Sequence, residues 1–446
     1  MRKISLTITT MVLVNFAYGQ NWNLIKDSIS PTNEKPLEYD SIYRQPLSTL
    51  GWEDGIHISK DGLNLYCTYV PIDFLSFVLN GDLPNNFTAS YLRGAPTFGM
   101  DLINNPIGAT EWLHADILYS HRNTLADSFN IWSLSNMARG FYSEGAPTPI
   151  FINNTNSVEF MLFTSNDNPT NNTDIWIINN TLPNPLGTGT PMPSPINTLN
   201  TEDNPHLVRI DSNQLVLFFD SDNLPGGIGD IDIWVSVSSN NGLTWSTPSN
   251  VSTLNTPDKE HQPFLHQDFS SGEWFLYYAA PHTDGKLAIF RAHQMNPNNW
   301  DNWETPELVV SAGNSAGIGE PTLTENGDLS FVLIYEDPNT NSIYNHFDAD
   351  PWFLKKKETS TGFNRNDKDP KISIYPNPTN GVISIDLGET KSNLNLKLTN
   401  ALGQVVLTKN YTSTNYIHFN IEVPKGVYFL LLESYGEVIT KKIIKK

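Results

Sequence analysis

Five stretches of the chain repeat one order of apolar runs and polar turns. The main runs are Leu63-Asn64-Leu65-Tyr66, Glu159-Phe160-Met161-Leu162-Phe163, Gln214-Leu215-Val216-Leu217-Phe218-Phe219, Glu273-Trp274-Phe275-Leu276-Tyr277-Tyr278 and Leu329-Ser330-Phe331-Val332-Leu333-Ile334. Each is short, rich in aromatic and branched residues, and bounded by turn formers, which predicts a buried strand. A second run follows each after a polar loop: Asn130-Ile131-Trp132, Asp174-Ile175-Trp176, Asp232-Ile233-Trp234, Leu287-Ala288-Ile289-Phe290 and Ser342-Ile343-Tyr344. Ahead of each pair stands an acidic group, usually with proline close behind: Glu53-Asp54-Gly55-Ile56-His57, Glu144-Gly145-Ala146-Pro147, Glu202-Asp203-Asn204-Pro205, Glu260-His261-Gln262-Pro263 and Glu320-Pro321. From Glu144 onward these glutamates lie 58, 58 and 60 residues apart, and Glu53 lies 91 residues before Glu144. The excess of 33 residues over one period places an insertion in the first repeat, at 74–112.

A sheet that is apolar on both faces cannot bury them alone, so repeats of one period stack. A period of 58 is long for a solenoid coil but suits a four-stranded blade with generous loops. The chain is therefore expected to be all-β, with a five-bladed β-propeller over 37–354. Residues from Pro36 to Leu50 are expected to supply a strand that closes the ring against the last blade. Residues 355–369 are polar and charged and read as a linker. A second β domain is expected over 370–446.

Several motifs resemble known families. Ser59-Lys60-Asp61-Gly62-Leu63-Asn64-Leu65-Tyr66 resembles the core of the WD40-like, TolB-type propeller repeat. Ser238-Ser239-Asn240-Asn241-Gly242-Leu243-Thr244-Trp245 resembles the Asp-box of sialidase-type propellers, with Asn240 where Asp is usual. Both are hairpins in which Gly supplies a positive φ and an Asx side chain bonds turn amides. At the C-terminus, Ile374-Tyr375-Pro376-Asn377-Pro378-Thr379-Asn380-Gly381, Asn400-Ala401-Leu402-Gly403-Gln404-Val405-Val406, Gly426-Val427-Tyr428-Phe429-Leu430 and Lys441-Lys442-Ile443-Ile444-Lys445 follow in order. Together they resemble the type A sorting domain of Bacteroidetes type IX secretion cargo. That resemblance implies a small immunoglobulin-like β-sandwich, read by the type IX machinery and usually cut off afterwards. The implied destination is the outer-membrane surface or the medium, through the periplasm.

The other end agrees with export. Arg2 and Lys3 precede a mostly apolar stretch from Ile4 to Phe16, and Ala17-Tyr18-Gly19 offers small residues at a cleavage site, so 1–19 reads as a signal peptide. No later apolar run approaches the ~18 residues of a membrane span. The single cysteine, Cys67, excludes an internal disulfide framework and reads as a core residue. Of the formal net charge of −20, the segment from Pro370 carries +4 and the signal peptide +2, leaving −26 between them. A surface that negative repels nucleic acid and polyanionic glycans.

A propeller's central tunnel is its default binding site. Glu53, Asp54, Glu144, Glu202 and Glu260 are the candidate catalytic carboxylates, with Asp203 and Glu320 beside them at the tunnel mouth. Five-bladed glycosidases of families 43 and 32 place carboxylates comparably, and a pair of them serves as acid and base across a glycosidic bond. A residue repeated in every blade is also a natural building residue. Candidate ligand contacts are His57, Arg93, Trp112, His114, Arg122, His206, His261 and Glu320. A histidine with Tyr142, and Arg93 or Arg122 neutralising a uronate, describes a lyase. The arginines match no sialidase pattern. No tight ligand motif appears, so neither metal nor cofactor is expected. The favoured reading is a binding propeller for a glycan or protein; the alternative is a carbohydrate-active enzyme.

Overall fold

The computed structural model describes residues 22–49, 52–70, 115–135, 143–151, 158–167, 172–179, 189–269, 271–337, 347–357, 372–400, 402–434 and 437–446. The chain divides into two compact units, Met1–Lys357 and Glu358–Lys446. The signal segment, the insertion at 74–112 and most of the linker lie outside the described residues.

The first unit opens with α1 (Trp22–Ser28), β1 (Thr32–Asn33) and β2 (Tyr39–Arg44). The first repeat then forms β3 (Trp52–Ile58), β4 (Asn64–Val70), β5 (Asp116–His121) and β6 (Ser133–Leu134). The second forms β7 (Glu144–Phe151), β8 (Val158–Ser165), β9 (Asp174–Asn179) and β10 (Thr190–Pro191). The third forms β11 (Glu202–Arg209), β12 (Leu215–Ser221), β13 (Asp232–Ser238) and β14 (Ser249–Asn250). The fourth forms β15 (His261–Gln267), β16 (Trp274–Pro281), β17 (Leu287–His293) and β18 (Glu307–Ser311). Each is an antiparallel meander.

The last repeat supplies β19 (Gly317–Leu323), β20 (Leu329–Glu336) and β21 (Phe347–Lys356). Its fourth strand is β2, which pairs antiparallel with β21 from the other end of the chain. Strand β1 likewise adds to the fourth sheet beside β18. A single parallel bridge, Ala349 to Trp52, joins the last sheet to the first.

Apolar packing explains the arrangement. Every residue of β12 is buried, because both faces of its sheet are covered. Among the described residues the apolar clusters lie between successive sheets. Tyr66 and Ile117 meet Met161 and Phe163. Leu162 and Ile175 meet Leu217 and Phe219. Phe218 and Val235 meet Leu276 and Tyr278. Tyr277 and Val310 meet Phe331 and Leu333. Val332 and Phe353 meet Leu65 and Trp52, which returns to the first sheet. The leading strands follow the same cycle: β3 touches β7, then β11, β15 and β19, and β19 touches β3.

Each leading strand carries the same irregularity. The register shifts between Asp54 and His57, Gly145 and Thr148, Asp203 and His206, His261 and Phe264, and Gly319 and Thr322. At each shift one residue has positive φ: Gly55 (51°), Ala146 (42°), Asn204 (49°), Gln262 (56°) and Glu320 (56°). These are β-bulges, which bend a strand and turn its peptide groups out of the ladder. An alanine there carries the Cβ strain that glycine avoids. Ala146→Gly is therefore expected to stabilise the unit by about 1 kcal/mol. Gly55→Ala is expected to destabilise it, because its new Cβ meets the Thr68 hydroxyl. Urea midpoints of the two variants test both signs.

The second unit holds β22 (Ser373–Tyr375), β23 (Val382–Asn400), β24 (Val405–Asn420), β25 (Gly426–Ser434) and β26 (Glu437–Lys445). Strand β23 pairs β24 along most of its length, and its ends pair β22 and β25. Its own core includes Ile385, Leu396, Ile417, Leu430 and Ile443. The resulting unit is a separate, β-sandwich-like domain. The opening motif is tied to the closing one. Asn377 Nδ2 donates to the Lys442 carbonyl (2.7 Å), and Ile444 N donates to Asn377 Oδ1 (2.9 Å). Asn400 Oδ1 accepts from Leu402 N and Gln404 N (both 3.0 Å) and shapes the β23–β24 turn.

Candidate carboxylate site at the bulge ring

The repeated glutamates face the scaffold. Glu202 accepts from Thr198 N (2.9 Å) and Thr198 Oγ1 (2.6 Å). Glu260 accepts from Thr256 N and Thr256 Oγ1, both at 2.7 Å. Glu53 accepts from the Thr49 hydroxyl. The amides of Glu144, Glu202 and Glu260 each donate to a carbonyl just before the third strand of the preceding sheet, on Ala115, Thr173 and Ile231. All four side chains are buried. Burial pushes the Glu202 carboxyl up to about 7 and raises that of Glu260. This repeated position ties one sheet to the next.

Glu320 is not the fifth member of that series. Aligned by their bulges, Ala146, Asn204, Gln262 and Glu320 are spaced 58 residues apart throughout. The counterpart of Glu260 in the last sheet is Ile318. Glu320 sits two places on, at the positive-φ position.

A bulge leaves its amide without a ladder partner, and each of these five finds a different one. Asp54 accepts from Gly55 N. Ala146 N donates to Thr68 Oγ1 (2.8 Å), and Asn204 N to Asp203 Oδ1 (2.8 Å). Gln262 N donates to Asp220 Oδ2 (2.7 Å), and Glu320 N to Gln262 Oε1 (3.0 Å). Further bonds link these groups into one string. Trp52 Nε1 donates to Asp54 Oδ2 (2.9 Å), and Asp54 shares a hydrogen bond with Glu320. Glu320 Oε1 accepts from Gln262 Nε2 (2.6 Å), and Asp220 Oδ2 from Asn204 Nδ2 (2.9 Å). Thr164 bonds Asp203.

Four carboxyls thus share one small region, and their proton affinities rise together. Burial, with Asp220 beside it, pushes Asp203 up to about 7. Burial pushes Asp220 up to about 6 and raises Asp54. Glu320 is held well above the ordinary carboxyl range by burial and by Asp54, Asp203 and Asp220. Like charges this close do not all ionise at neutral pH, so the cluster keeps protons it can exchange.

A small open pocket of about 30 Å³ lies along the five bulges, lined by Gly55, Ala146, Asn204, Gln262 and Glu320. His57, His206 and Phe264 pack on one another at one level of it, with ring centroids 4.0 to 5.9 Å apart. His206 Nε2 bonds the Leu265 carbonyl at 3.1 Å, so that nitrogen carries the proton. Burial lowers His57 to about 3 and His206 well below its usual value, so both rings are neutral. His261 occupies the position of Asp54 and Asp203 in its own sheet; burial lowers it to about 4.

The expected site residues thus separate. Asp54, His57, His206, His261 and Glu320 lie along the bulge ring, whereas Glu53, Glu144, Glu202 and Glu260 hold the scaffold. Arg122 is elsewhere. Its Nε donates to the Gly62 carbonyl (2.7 Å), and its guanidinium lies over Phe129. Arg93, Trp112, His114 and Tyr142 lie outside the described residues. Asp220 was not legible as a site residue, because it ends an apolar strand run. The signal was a comparison of positions: the second-strand residue facing the bulge is Thr68, Thr164 or Asp220 in the first three sheets.

The chain is similar to several solved structures. A family 62 α-L-arabinofuranosidase catalytic domain from Coprinopsis cinerea is 12% identical, with 72% of this chain and 97% of that one covered and a TM-score of 0.47. A family 32 β-fructofuranosidase from Bombyx mori is 10% identical, with 96% and 94% covered and a TM-score of 0.39. No curated protein sequence matches the chain. Among the described residues, no helix is long and apolar enough to cross a membrane. Residues 373–446 match the family model of the secretion system C-terminal sorting domain, which marks the chain as cargo of type IX secretion bound for the cell surface or beyond.

Proposed function

We propose that 37–354, with the insertion at 74–112, is a five-bladed β-propeller, joined by a linker at 355–369 to the sorting domain at 370–446. The cyclic contacts of the leading strands and the five inter-sheet clusters support this reading. Its function is to bind a neutral glycan at the bulge ring after export.

One observation carries the proposal. Glu320 stands at the bulge position on the pocket, with Asp54, Asp203 and Asp220 close beside it, while the glutamates repeated in the first four sheets face the scaffold. A purely structural bulge needs only a residue tolerant of positive φ. A carboxyl cluster that keeps part of its negative charge exchanges hydrogen bonds with hydroxyls and still repels anions, which selects uncharged sugars. Calorimetry against a panel of neutral oligosaccharides tests this. Asp203→Asn and Glu320→Gln are each expected to weaken the best ligand about ten- to hundredfold, the range for a hydrogen bond to a charged group. Equal binding by both variants and the natural chain overturns it.

A second reading, glycosidic hydrolysis, takes Glu320, which burial and its neighbours keep protonated, as the acid. Its partner would be a carboxylate about 5 to 10 Å away, since Asp54, hydrogen-bonded to it, is too close to span a glycosidic bond. Under this reading Glu320→Gln abolishes the release of reducing ends while the ligand still binds.

A further inference from the structure

A second carboxylate cluster lies at the seam between the last sheet and the first. Lys26, on α1, inserts its ammonium there. Its Nζ lies 2.7 Å from Asp348 Oδ2 and 2.9 Å from Asp350 Oδ1, both on β21. It also reaches Ser48 Oγ (2.8 Å) and the Thr49 carbonyl (2.9 Å), just before β3. An ammonium has three protons and here meets four oxygens, so the surroundings form a cage rather than a matched set of acceptors. Glu53 completes it from β3. One oxygen each of Glu53, Asp348 and Asp350 lies within 4.8 Å of the others. Glu53 is fully buried, and its Oε2 has no hydrogen-bond partner.

The charges do not balance around Lys26. Three carboxyls face one ammonium, with the Arg44 guanidinium at the edge, 4.0 Å from Asp350. A divalent ion in place of Lys26 would balance three ionised carboxylates and Arg44. Three carboxylates, a hydroxyl and a carbonyl are also the hard oxygen donors that calcium takes in flexible geometry.

We propose that this cage is a calcium-type divalent cation site, which Lys26 fills in the closed ring and which is open to the ion when α1 is undocked. The two sides of the cage belong to the two ends of the ring, the last sheet and the first, which meet at the Ala349–Trp52 bridge. An ion held there would keep the seam shut until the N-terminal segment docks and displaces it.

The test compares the full chain with Lys26→Met and with Lys26→Met combined with Glu53→Gln, in millimolar calcium and in chelator. Calcium is expected to raise the Tm of Lys26→Met by several degrees, to leave the natural chain unchanged, and to lose its effect in the double variant. A calcium-indifferent Lys26→Met, or an equal rescue of the double variant, overturns the proposal. If Lys26→Met fails to fold, the natural chain is refolded from urea with terbium. A transient luminescence signal, lost as the ring closes, is expected. A signal that never appears, or that persists in the folded chain, refutes the site.

Discussion

Truncating the chain after Lys357 is expected to remove it from the cell surface and the medium while leaving the first unit folded inside the envelope. The sorting-domain match covers 373–446, and the two units have separate cores. Export and folding are therefore expected to separate cleanly. A smaller deletion, of 441–446, is expected to do the same. It removes the end of β26, which pairs with β25 along its whole length. It also removes the Lys442 carbonyl and the Ile444 amide, which hold Asn377 of the opening motif. With both motifs released, the domain loses more than half of its edge strand and the tie between its opening and closing motifs. Fractionation and immunoblotting of surface, medium and periplasm measure the outcome. Undiminished surface display of either truncation would show that the tail is dispensable.

The repeat was legible in the sequence because its cause is local. Each sheet buries both faces, so each writes the same apolar runs into the chain at one period. The closing role of the stretch after Pro36 was legible for the same reason, and β2 pairs with β21 there. The bulge ring was only half legible. Its defining feature is a backbone angle, which Gly55, Ala146, Asn204, Gln262 and Glu320 all adopt despite sharing no chemistry. The conspicuous residues were the glutamates two places earlier, and those are conspicuous because they build the scaffold. Glu320 was drawn into their series by its type, although its register belongs with Gln262. Lys26 left no sign. A lone lysine just past a signal peptide reads as a solvated residue until Asp348 and Asp350 arrive from the far end of the chain.

Acidification from pH 8 to about 6.5 is expected to raise the Tm by several degrees, an unusual direction for an acidic protein. The cause is the number of buried carboxyls whose proton affinity rises on folding. Asp203, Glu202 and Asp348 reach about 7 and Asp220 about 6, and Glu53 and Glu320 are held well above their ordinary range, against about 4 in an unfolded chain. A group raised on folding contributes stability that is complete below its unfolded value and is lost as pH climbs through its folded one. For these groups the loss falls between about pH 4 and 8. Each contributes on the order of 1.4 kcal/mol per pH unit within its window, less where two share a proton. The histidines oppose this. His57 falls to about 3, His261 and His266 to about 4, and His206 well below its usual value. Their stability is present above about 6.5 and is lost as pH falls through those values. Above 6.5, then, the carboxyls act alone and the curve must slope downward toward pH 8. Below 6.5 the histidines offset much of the carboxyl contribution and the slope lessens. Below about 4 the unfolded carboxyls are protonated too, only the histidine loss remains, and stability falls. Calorimetry across this range tests the sign. A Tm that climbs between pH 6.5 and 8 would mean that these carboxyls are ionised in the folded chain, and the proton-sharing cluster at the bulge ring would fall with that result.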